Sequence, residues 1–244
     1  PYKIECDERF TVSAGSVVIA TGARYRRLGL PNEAKYEGRG IHYAATAMES
    51  NLCDKEEVAI IGGGNSAGQA AVFLARTSEH VHIIVRGEGL AATMSGYLVE
   101  RIEAAENITI HPYTEINALH GDERLESVEW KDTKTGELSA CPVRHLFLMI
   151  GAEPNTDWLE GCVELDNKGF VMTGDALRKS KLWKEERSPY ILETSLPGIF
   201  AVGDVRSGSV KRVASAVGEG AICVQFIHWV LSEQKDKSLA KIAA

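Results

Sequence analysis

The feature that most constrains the fold is a glycine-containing turn between an apolar run and an alanine-rich run. Residues 58–61 are all apolar and predict a buried parallel strand. Gly62, Gly64 and Ala67 then fill the G-x-G-x-x-G/A spacing, which permits a tight turn, close approach of a pyrophosphate and close packing of a helix. A helix beginning near Asn65 would offer backbone N–H groups to phosphate. The turn predicts a dinucleotide site, with a purely structural turn as the alternative.

Composition and charge narrow the class of protein. The 244 residues are 44% hydrophobic and 25% charged, which is typical of a globular chain of one large domain or two ordinary ones. A net charge of -7 and the lack of a dense basic run argue against a nucleic-acid partner. We expect the apolar runs to be too short to span a bilayer, and no leader pattern starts the chain. The expected location is therefore cytoplasmic, with no membrane partner.

Cysteine and histidine spacing predicts no metal site. No two of the five cysteines form a C-x-x-C pair, and an odd number of scattered cysteines is typical of reduced thiols. His80 and His82 could share one face of a strand, but we expect no further ligand cluster around them. The cysteines are Cys6, Cys53, Cys141, Cys162 and Cys223.

The pattern around the turn predicts a βαβ unit followed by a β-meander. A second parallel strand is expected at residues 80–85 and a second helix at 95–105. Three alternating stretches, separated by turn residues, then predict a meander that closes the domain. Those three strands are expected at residues 108–118, 125–132 and 143–150.

The flanking regions contain further strands, two connectors and a long helix. Strands are expected at residues 10–12, 17–20 and 198–202, and a helix from about 211 to 231. Residues 24–40 and 151–157 are polar connectors, and residues 175–189 form a polar insert with no predicted role.

Five motifs in a fixed order resemble a known family. They are residues 18–23, the turn at Gly62, and residues 150–156, 198–205 and 211–220. This ordered set resembles the flavoproteins with two dinucleotide sites, and is most similar to the low-molecular-weight thioredoxin reductases. The resemblance covers nearly the whole chain except the polar insert.

The resemblance implies an α/β fold with two Rossmann-like three-layer dinucleotide-binding domains, each with a small β-meander element. Residues 1–37 and 153–244 would belong to an FAD domain, and residues 38–152 to an NAD(P)H-binding domain. The family begins with another G-x-G-x-x-G, which is not found before Val17. We therefore expect the FAD domain to be incomplete in this chain, with weak FAD binding unless another chain supplies the missing segment.

The resemblance also implies positions that bind FAD. Asp204 matches an acidic residue that accepts a hydrogen bond from the flavin ribityl chain, and Val213 would present its backbone N–H to the flavin pyrimidine edge. A strand-ending turn and a plain buried helix are the alternatives for these two positions. The full set is Thr21, Gly22, Gly203, Asp204, Arg212 and Val213.

For the second cofactor, the resemblance favours NADPH over NADH. An NAD site usually has an acidic residue at the end of the second strand, and this chain has Arg86 there. Arg86 matches an arginine that holds the 2′-phosphate, although the basic cluster of the family is thinner here and an ordinary solvated arginine is the alternative. The other cofactor-binding residues expected are Gly62, Gly64, Asn65, Ser66, Ala67 and Gly151.

The main departure from the family concerns its redox C-x-x-C. Ala44 and Ala47 occupy both cysteine positions, so no catalytic residue is assigned and dithiol exchange cannot proceed there. The resemblance implies an FAD-dependent NAD(P)H oxidoreductase, a homodimer, that passes hydride from NADPH to flavin and then to an unidentified electron acceptor. The alternatives are a ferredoxin-NADP reductase of the thioredoxin reductase type and a non-catalytic NADPH- or flavin-binding sensor.

Overall fold

A computed structural model describes residues 1–6 and 10–243 of the chain. It contains two compact units, a split unit (residues 1–24 and 152–244) and a central unit (residues 25–151). The family resemblance implies a first boundary at residue 37, whereas the compact central unit begins at residue 25. The structure places it earlier because Tyr36 is buried in a core of the central unit and its hydroxyl donates to the Gly121 carbonyl at 2.8 Å.

The described residues contain fourteen strands and five α-helices. The strands are β1 (Tyr2–Cys6), β2 (Phe10–Ala14), β3 (Val17–Ile19), β4 (Ala23–Tyr25), β5 (Ile41–His42), β6 (Glu57–Ile61), β7 (His80–Ile84), β8 (Ile108–His111), β9 (Thr114–His120), β10 (Ser127–Asp132), β11 (Leu138–Cys141), β12 (His145–Leu148), β13 (Ala152–Pro154) and β14 (Ile199–Ala201). The helices are α1 (Glu33–Tyr36), α2 (Ala47–Leu52), α3 (Asn65–Leu74), α4 (Gly96–Glu103) and α5 (Val213–Ala243).

The central unit has three layers around a five-stranded parallel sheet of order β5-β12-β6-β7-β8. One face buries side chains such as Ile60 and Ile83 against α3 and α4, where Leu74 and Leu98 are buried. The other face packs against the antiparallel sheet β9-β10-β11. The α/β class is confirmed, and β6-α3-β7 forms the expected crossover, which places the glycine turn at the carboxyl end of β6.

The predicted meander was wrong in its composition. Residues 108–118 are not one strand, because the chain breaks at Tyr113, which has a positive φ of 52°. Residues 143–150 contain β12, which lies inside the parallel sheet and not in the meander. Leu146 and Phe147 are both fully buried, as a strand covered on both faces requires. The meander is therefore β9, β10 and β11.

The split unit is built around the parallel pair β3 and β14. Its core includes Ile19, Val171 and Val205 on one side and Phe200 with residues of α5 on the other. β1 and β2 pair as an antiparallel hairpin, and β4 pairs with β13. Among the described residues the split unit thus has a two-stranded hairpin where a meander was expected.

Helix α5 contradicts the expectation that every apolar run is too short to span a bilayer. Its segment Val213–Asp236 reaches a mean hydropathy of 1.3 and is long and apolar enough to cross a bilayer by length and composition. The prediction that every apolar run is too short was therefore wrong. Core helices of proteins that enter no membrane pass the same test, but they are mostly buried, whereas only 11% of the apolar window in this segment is buried.

Candidate dinucleotide site

Gly62 is required by the geometry of the turn after β6. Its φ is 138°, and its N–H donates to the Ile84 carbonyl at 3.1 Å. A Cβ at this position would lie 2.5 Å from the carbonyl oxygen of Met149. Only glycine fits both the dihedral angle and the space, so the first glycine of the motif serves the fold.

Gly64, unlike Gly62, has room for a Cβ and needs no positive φ. It is the N-cap of α3 with extended backbone (φ -95°), and an added Cβ would have as its nearest described neighbour the Thr93 carbonyl at 4.0 Å. The space in front of this backbone is therefore open to a ligand. Asn65 and Ser66 follow in the first turn of α3, where backbone N–H groups lack intrahelical acceptors, and buried Ala67 allows close packing.

The loop at residues 93–95, which no sequence motif indicated, holds the glycine turn in place. The Thr93 hydroxyl donates to the Gly63 carbonyl at 2.7 Å, and the Ser95 N–H donates to the Asn65 side-chain oxygen at 2.7 Å. The side chain of Asn65 is thus occupied in positioning this loop. A Cβ on Gly68 would lie 2.6 Å from the Met94 sulfur, so Gly68 also allows the loop to pack on α3.

A cavity of about 780 Å³ opens beside the turn, entirely within the central unit. Its wall runs from Gly63 through residues 85–93 to side chains of α4 and β8. Arg86 is exposed on this wall, directly after the carboxyl end of β7. Val99 and Ile110 add apolar surface, as a site for a nucleoside needs. The last cofactor position predicted in this unit, Gly151, has a φ of 92° and accepts a hydrogen bond from the Arg26 N–H at 3.1 Å.

In the split unit, Thr21 and Gly22 follow β3 and are tied to one partner. The Thr21 hydroxyl donates to the Asn155 carbonyl at 2.9 Å, and the Asn155 amide donates back to the Thr21 carbonyl at 2.7 Å. The Asn155 N–H donates to the Gly22 carbonyl at 3.0 Å. These bonds give both residues a structural task.

Gly203 and Asp204 follow β14, at the same sheet edge as Thr21. Gly203 has a φ of 73°, and its N–H donates to a Glu219 carboxylate oxygen at 2.7 Å. Arg206 donates to the same carboxylate, with its Nε at 3.2 Å. Burial raises the pKa of Glu219, but these hydrogen bonds outweigh it and hold the pKa below its ordinary value. Glu219 is a positioning residue that the sequence analysis named in a motif without giving it a role.

The start of α5 lies next to this turn. Val213 is the first residue of the helix, as expected, and is 83% exposed. Arg212 precedes it and is also exposed, while Lys211 donates from its ammonium group to the Asp204 carbonyl at 3.4 Å. The first N–H groups of this helix lack intrahelical acceptors, and the residues that carry them follow directly on Lys211, which contacts the turn that contains Asp204.

The positions of the missing redox pair surround the start of α2. Ala47 is its first residue and is exposed, and Ala44 is half-buried three residues earlier. Cys53 does not replace them, because it is fully buried and its thiol donates to the Glu49 carbonyl at 3.0 Å. Burial raises its pKa. All five cysteines lie among the described residues and are free thiols.

The histidines of β7 lie close to other side chains that can bind a metal ion, which the sequence did not predict. His82 lies 3.2 Å from a carboxylate oxygen of Glu57 and 3.0 Å from His111, and the thiol of Cys141 is close to both Glu57 and His82. The expectation that no further ligand cluster accompanies His80 and His82 was therefore wrong.

The profile of the family described as "Pyridine nucleotide-disulphide oxidoreductase" matches residues 2–220. The chain belongs to this family.

Several curated relatives are named thioredoxin reductases. Those of Mycolicibacterium smegmatis and Treponema pallidum are 35% and 34% identical to this chain over 92% and 86% of its length. The match covers 67% of the first relative and 62% of the second, and 59% of a third, from Streptomyces coelicolor, that is 32% identical. The chain thus spans about three fifths of the length of several relatives that it matches.

Solved structures agree with this assignment. A thioredoxin reductase from Streptococcus pyogenes superposes with a TM-score of 0.75 at 28% identity, covering 93% of this chain and 68% of that one. The enzyme from Lactococcus lactis gives a TM-score of 0.67 at 29% identity, covering 95% and 70%. This likeness confirms the Rossmann-type α/β fold.

Proposed function

We propose that the chain is the major part of a flavin-dependent NADPH oxidoreductase in which the central unit binds the nicotinamide cofactor. The chain belongs to the pyridine nucleotide-disulphide oxidoreductases, and the thioredoxin reductases among its relatives use FAD and NADPH. The observation that carries the proposal is the open backbone at Gly64, at the start of α3 and beside a cavity with Arg86 on its wall. This arrangement has the features of a pyrophosphate site with a cation placed for a further phosphate.

Arg86 favours NADPH over NADH. It lies where an acidic side chain would otherwise hold the ribose 2′-hydroxyl, and a guanidinium there suits a 2′-phosphate. Relatives carry names of both kinds, an "NADH dehydrogenase" from Ferdinandcohnia aciditolerans and an "NADPH-dependent thioredoxin reductase 3" from Arabidopsis thaliana. The specificity is therefore assigned from this residue and not from the family.

The split unit fits a flavin at the start of α5. The N–H groups near Val213 and the positive end of the helix dipole suit a ring edge on which negative charge builds during reduction. The carboxylate of Asp204 is placed after β14 to accept a hydroxyl hydrogen bond. When bound, the two cofactors supply hydride transfer, and the chain supplies binding, orientation and electrostatics.

The electrons do not leave through a dithiol at the family's position. Ala44 and Ala47 have no thiol, and Cys53 is buried with its pKa raised. The acceptor, which is unidentified, would have to take electrons from the flavin itself. A reductase for a ferredoxin-type protein is a second candidate, since it needs no dithiol.

The nucleotide specificity is tested by Arg86→Ala. Loss of a charge-assisted contact worth about 1.5–3 kcal/mol should weaken NADPH binding roughly 10- to 150-fold. NADH binding should change less than twofold, because NADH has no 2′-phosphate. Titration calorimetry on wild type and variant measures both constants.

The matched control is Arg101→Ala, which removes an exposed arginine from α4 of the same unit. It should leave both affinities unchanged. Equal losses for NADPH and NADH in Arg86→Ala would mean that Arg86 does not contact the 2′-phosphate.

Catalysis is tested separately by mixing the full-length, FAD-loaded protein with NADPH in a stopped-flow spectrometer. Rapid loss of the oxidised flavin absorbance supports the oxidoreductase. Tight NADPH binding with no flavin reduction over minutes would instead indicate a non-catalytic sensor.

A further inference from the structure

A cluster of three different ligand types lies at the end of the central sheet opposite the glycine turn. Glu57 is the first residue of β6, whereas Gly62 follows the last. His82 is on the neighbouring strand β7, and Cys141 is the last residue of β11 in the antiparallel sheet. The cluster is therefore separate from the dinucleotide site and joins two layers of the central unit.

The side-chain atoms converge on one point. A carboxylate oxygen of Glu57 lies 3.2 Å from Nε2 of His82 and 3.6 Å from Sγ of Cys141. The third side of this triangle, from Sγ of Cys141 to Nε2 of His82, is 3.9 Å. Tetrahedral zinc with bonds of about 2.0–2.3 Å holds its ligand atoms about 3.3–3.6 Å apart. The three atoms thus need to move only by a few tenths of an ångström to share one ion.

We propose that Glu57, His82 and Cys141 form a binding site for a divalent cation of the zinc type. One sulfur, one imidazole nitrogen and one carboxylate oxygen are the donors that Zn²⁺ uses, whereas Mg²⁺ and Ca²⁺ take oxygen ligands only. The Glu57 side chain is 38% exposed, so the ion has an entry path and water can fill the fourth position. Binding breaks the S–H bond of Cys141, forms the Zn–S bond and releases the proton to solvent.

The surroundings hold His82 in the orientation that the ion requires. Its other ring nitrogen, Nδ1, lies 3.0 Å from Nε2 of His111. With His82 bound through Nε2, Nδ1 carries the hydrogen and donates it to His111, which fixes the tautomer as outer-shell partners of metal-bound histidines do. The Trp130 ring packs against both imidazoles, with centroids 5.4 and 5.0 Å away.

A bound ion would act on the stability of the central unit. β6 and β7 belong to the parallel sheet and β11 to the antiparallel sheet, so the ion would link two layers that otherwise meet through apolar packing. Ligand that binds only the folded state raises its stability in proportion to the logarithm of concentration over Kd. Zinc at micromolar concentration should therefore raise the melting temperature of the untagged chain.

The test uses chelator-treated, untagged chain titrated with Zn²⁺ and, separately, with Co²⁺ as a spectroscopic probe. We expect one ion per chain and, for Co²⁺, a thiolate-to-cobalt absorption band. Cys141→Ser should abolish that band and weaken zinc binding at least about 100-fold, because loss of a direct ligand exceeds the 10- to 100-fold typical of outer-shell changes. Glu57→Gln removes the negative charge but keeps a carbonyl oxygen that can still bind the ion, so it should weaken zinc binding by less than Cys141→Ser but by at least about tenfold.

Two further variants make the result specific. Cys162→Ser removes an exposed thiol elsewhere and should leave zinc affinity and the cobalt band unchanged. His111→Asn should keep the band but weaken binding roughly 10- to 100-fold. The proposal is overturned if the wild type binds no zinc at 100-fold excess over protein. It is also overturned if Cys141→Ser and Glu57→Gln, folded by circular dichroism, bind zinc as the wild type does.

Discussion

At the scale of single residues, Gly62 and Gly64 show that one motif can serve two purposes. Gly62 has a positive φ and no room for a Cβ beside the Met149 carbonyl. Gly64 has ordinary extended backbone, and the space where its Cβ would point is open. The fold therefore needs the first glycine, and the second leaves open the space that we expect a pyrophosphate to occupy.

Two substitutions separate these purposes. Gly62→Ala should destabilise the chain by at least about 2 kcal/mol, from backbone strain and the clash with Met149. Gly64→Ser should leave stability within about 0.5 kcal/mol, because serine is a good N-cap residue. It should nevertheless weaken NADPH binding about tenfold or more, since the hydroxymethyl group occupies the space for the pyrophosphate. Urea denaturation and calorimetric titration measure the two effects.

The opposite outcome would be informative. If Gly64→Ser bound NADPH like the wild type, the pyrophosphate would not lie against this turn. If Gly62→Ala were as stable as Gly64→Ser, the turn would have to relax away from Met149.

Residue spacing predicted the turn and Arg86, but not the groups that hold the turn in place. The glycine spacing is local, so the sequence shows it directly. The bonds from Thr93 to Gly63 and from Ser95 to Asn65 join residues thirty positions apart, and Glu219 reaches back to Gly203 from the next helix. No local pattern identifies such partners before the fold is known.

At the scale of elements, the sequence predicted the crossover β6-α3-β7 well and the strands after it poorly. Apolar runs flanked by turns predict strands, but they do not say which sheet a strand joins. β12 was assigned to the meander, although it lies between β5 and β6 in the parallel sheet. Its neighbours are about a hundred residues earlier in the chain, and only the complete sheet identifies them.

The polar insert at residues 175–189 also had no predicted role, and the structure gives part of it one. Arg187 donates from both terminal nitrogens to Glu193, at 2.7 and 2.9 Å, and from Nε to Glu233 of α5 at 3.1 Å. Glu193 is fully buried and also accepts from the N–H groups of Tyr190 and Gly198. Arg187 thus joins the insert to the core of the split unit and to α5.

Arg187→Ala should therefore be strongly destabilising. It leaves the buried Glu193 carboxylate without its counter-charge, which typically costs about 3–5 kcal/mol. The control Arg178→Ala breaks an exposed pair with Asp175 and should change stability by less than about 0.5 kcal/mol. Urea denaturation measures the free energy of unfolding of both variants and of the wild type. Adding Glu193→Gln to Arg187→Ala should recover part of the loss, and no recovery would mean that packing and not charge explains it.

The neighbouring strands β5 and β12 carry a histidine pair that makes stability depend on pH. His42 and His145 stack at 5.3 Å between ring centroids, with ring nitrogens 3.0 Å apart. Burial and then the charge of His145 lower the pKa of His42 to about 4. The unfolded chain, with a histidine pKa near 6.5, binds the proton more readily, so stability is full above about pH 6.5 and falls toward pH 4.

At pH 5 this loss should reach roughly 1–2 kcal/mol for His42, relative to pH 7.5. His42→Gln should reduce the slope between pH 7 and 5, whatever its effect at neutral pH, and leave the part due to His111, whose pKa burial also lowers to about 4. His120→Gln, at an exposed position, should keep the wild-type slope. Denaturation midpoints at several pH values give the profiles, and identical slopes in all three proteins would exclude His42 as the source.

At the scale of the whole molecule, the family resemblance predicted two dinucleotide-binding domains, and the chain forms two compact units with separate cores. The boundary near residue 24 could not be read from sequence, since residues 24–40 look like a polar connector. Their few apolar side chains, with Tyr36 fully buried, decide that they belong to the central unit. Assignment of FAD and NADPH to the two units, and a cytoplasmic homodimer, remain predictions.

The contacts of α5 indicate whether this helix packs on the split unit or crosses a membrane. Cys223 and Val230 are buried in the split unit beside Phe200, so leaving the protein would expose that core. Glu219 and Glu233 of the same helix are held by Arg206 and Arg187. Moving charged side chains into the centre of a bilayer costs at least about 2.5–3.5 kcal/mol each. We therefore expect α5 to stay on the split unit and not to cross a membrane.

We expect the exposed face of α5 to pair with a second copy of the chain. Val217, Val224 and Leu231 are exposed and spaced seven residues apart, which places them along one stripe, as helix pairing requires. We expect a dimer by sedimentation, and Val224→Lys should shift it toward monomer by at least about tenfold in dissociation constant, since a charge at a buried interface is costly. Gln225→Lys, exposed on an adjacent face, should keep the dimer.

The competing occupant of this stripe is a lipid surface, and one assay separates the two. Mixed with neutral phosphatidylcholine vesicles, the chain should stay at the bottom of a flotation gradient, because α5 is anchored through Cys223, Val230 and its two carboxylates. Flotation of the wild type that Val224→Lys abolishes would instead assign the stripe to lipid. If the wild type is a monomer in sedimentation and does not float, both occupants are excluded, because neither a second copy nor a lipid surface then covers the stripe.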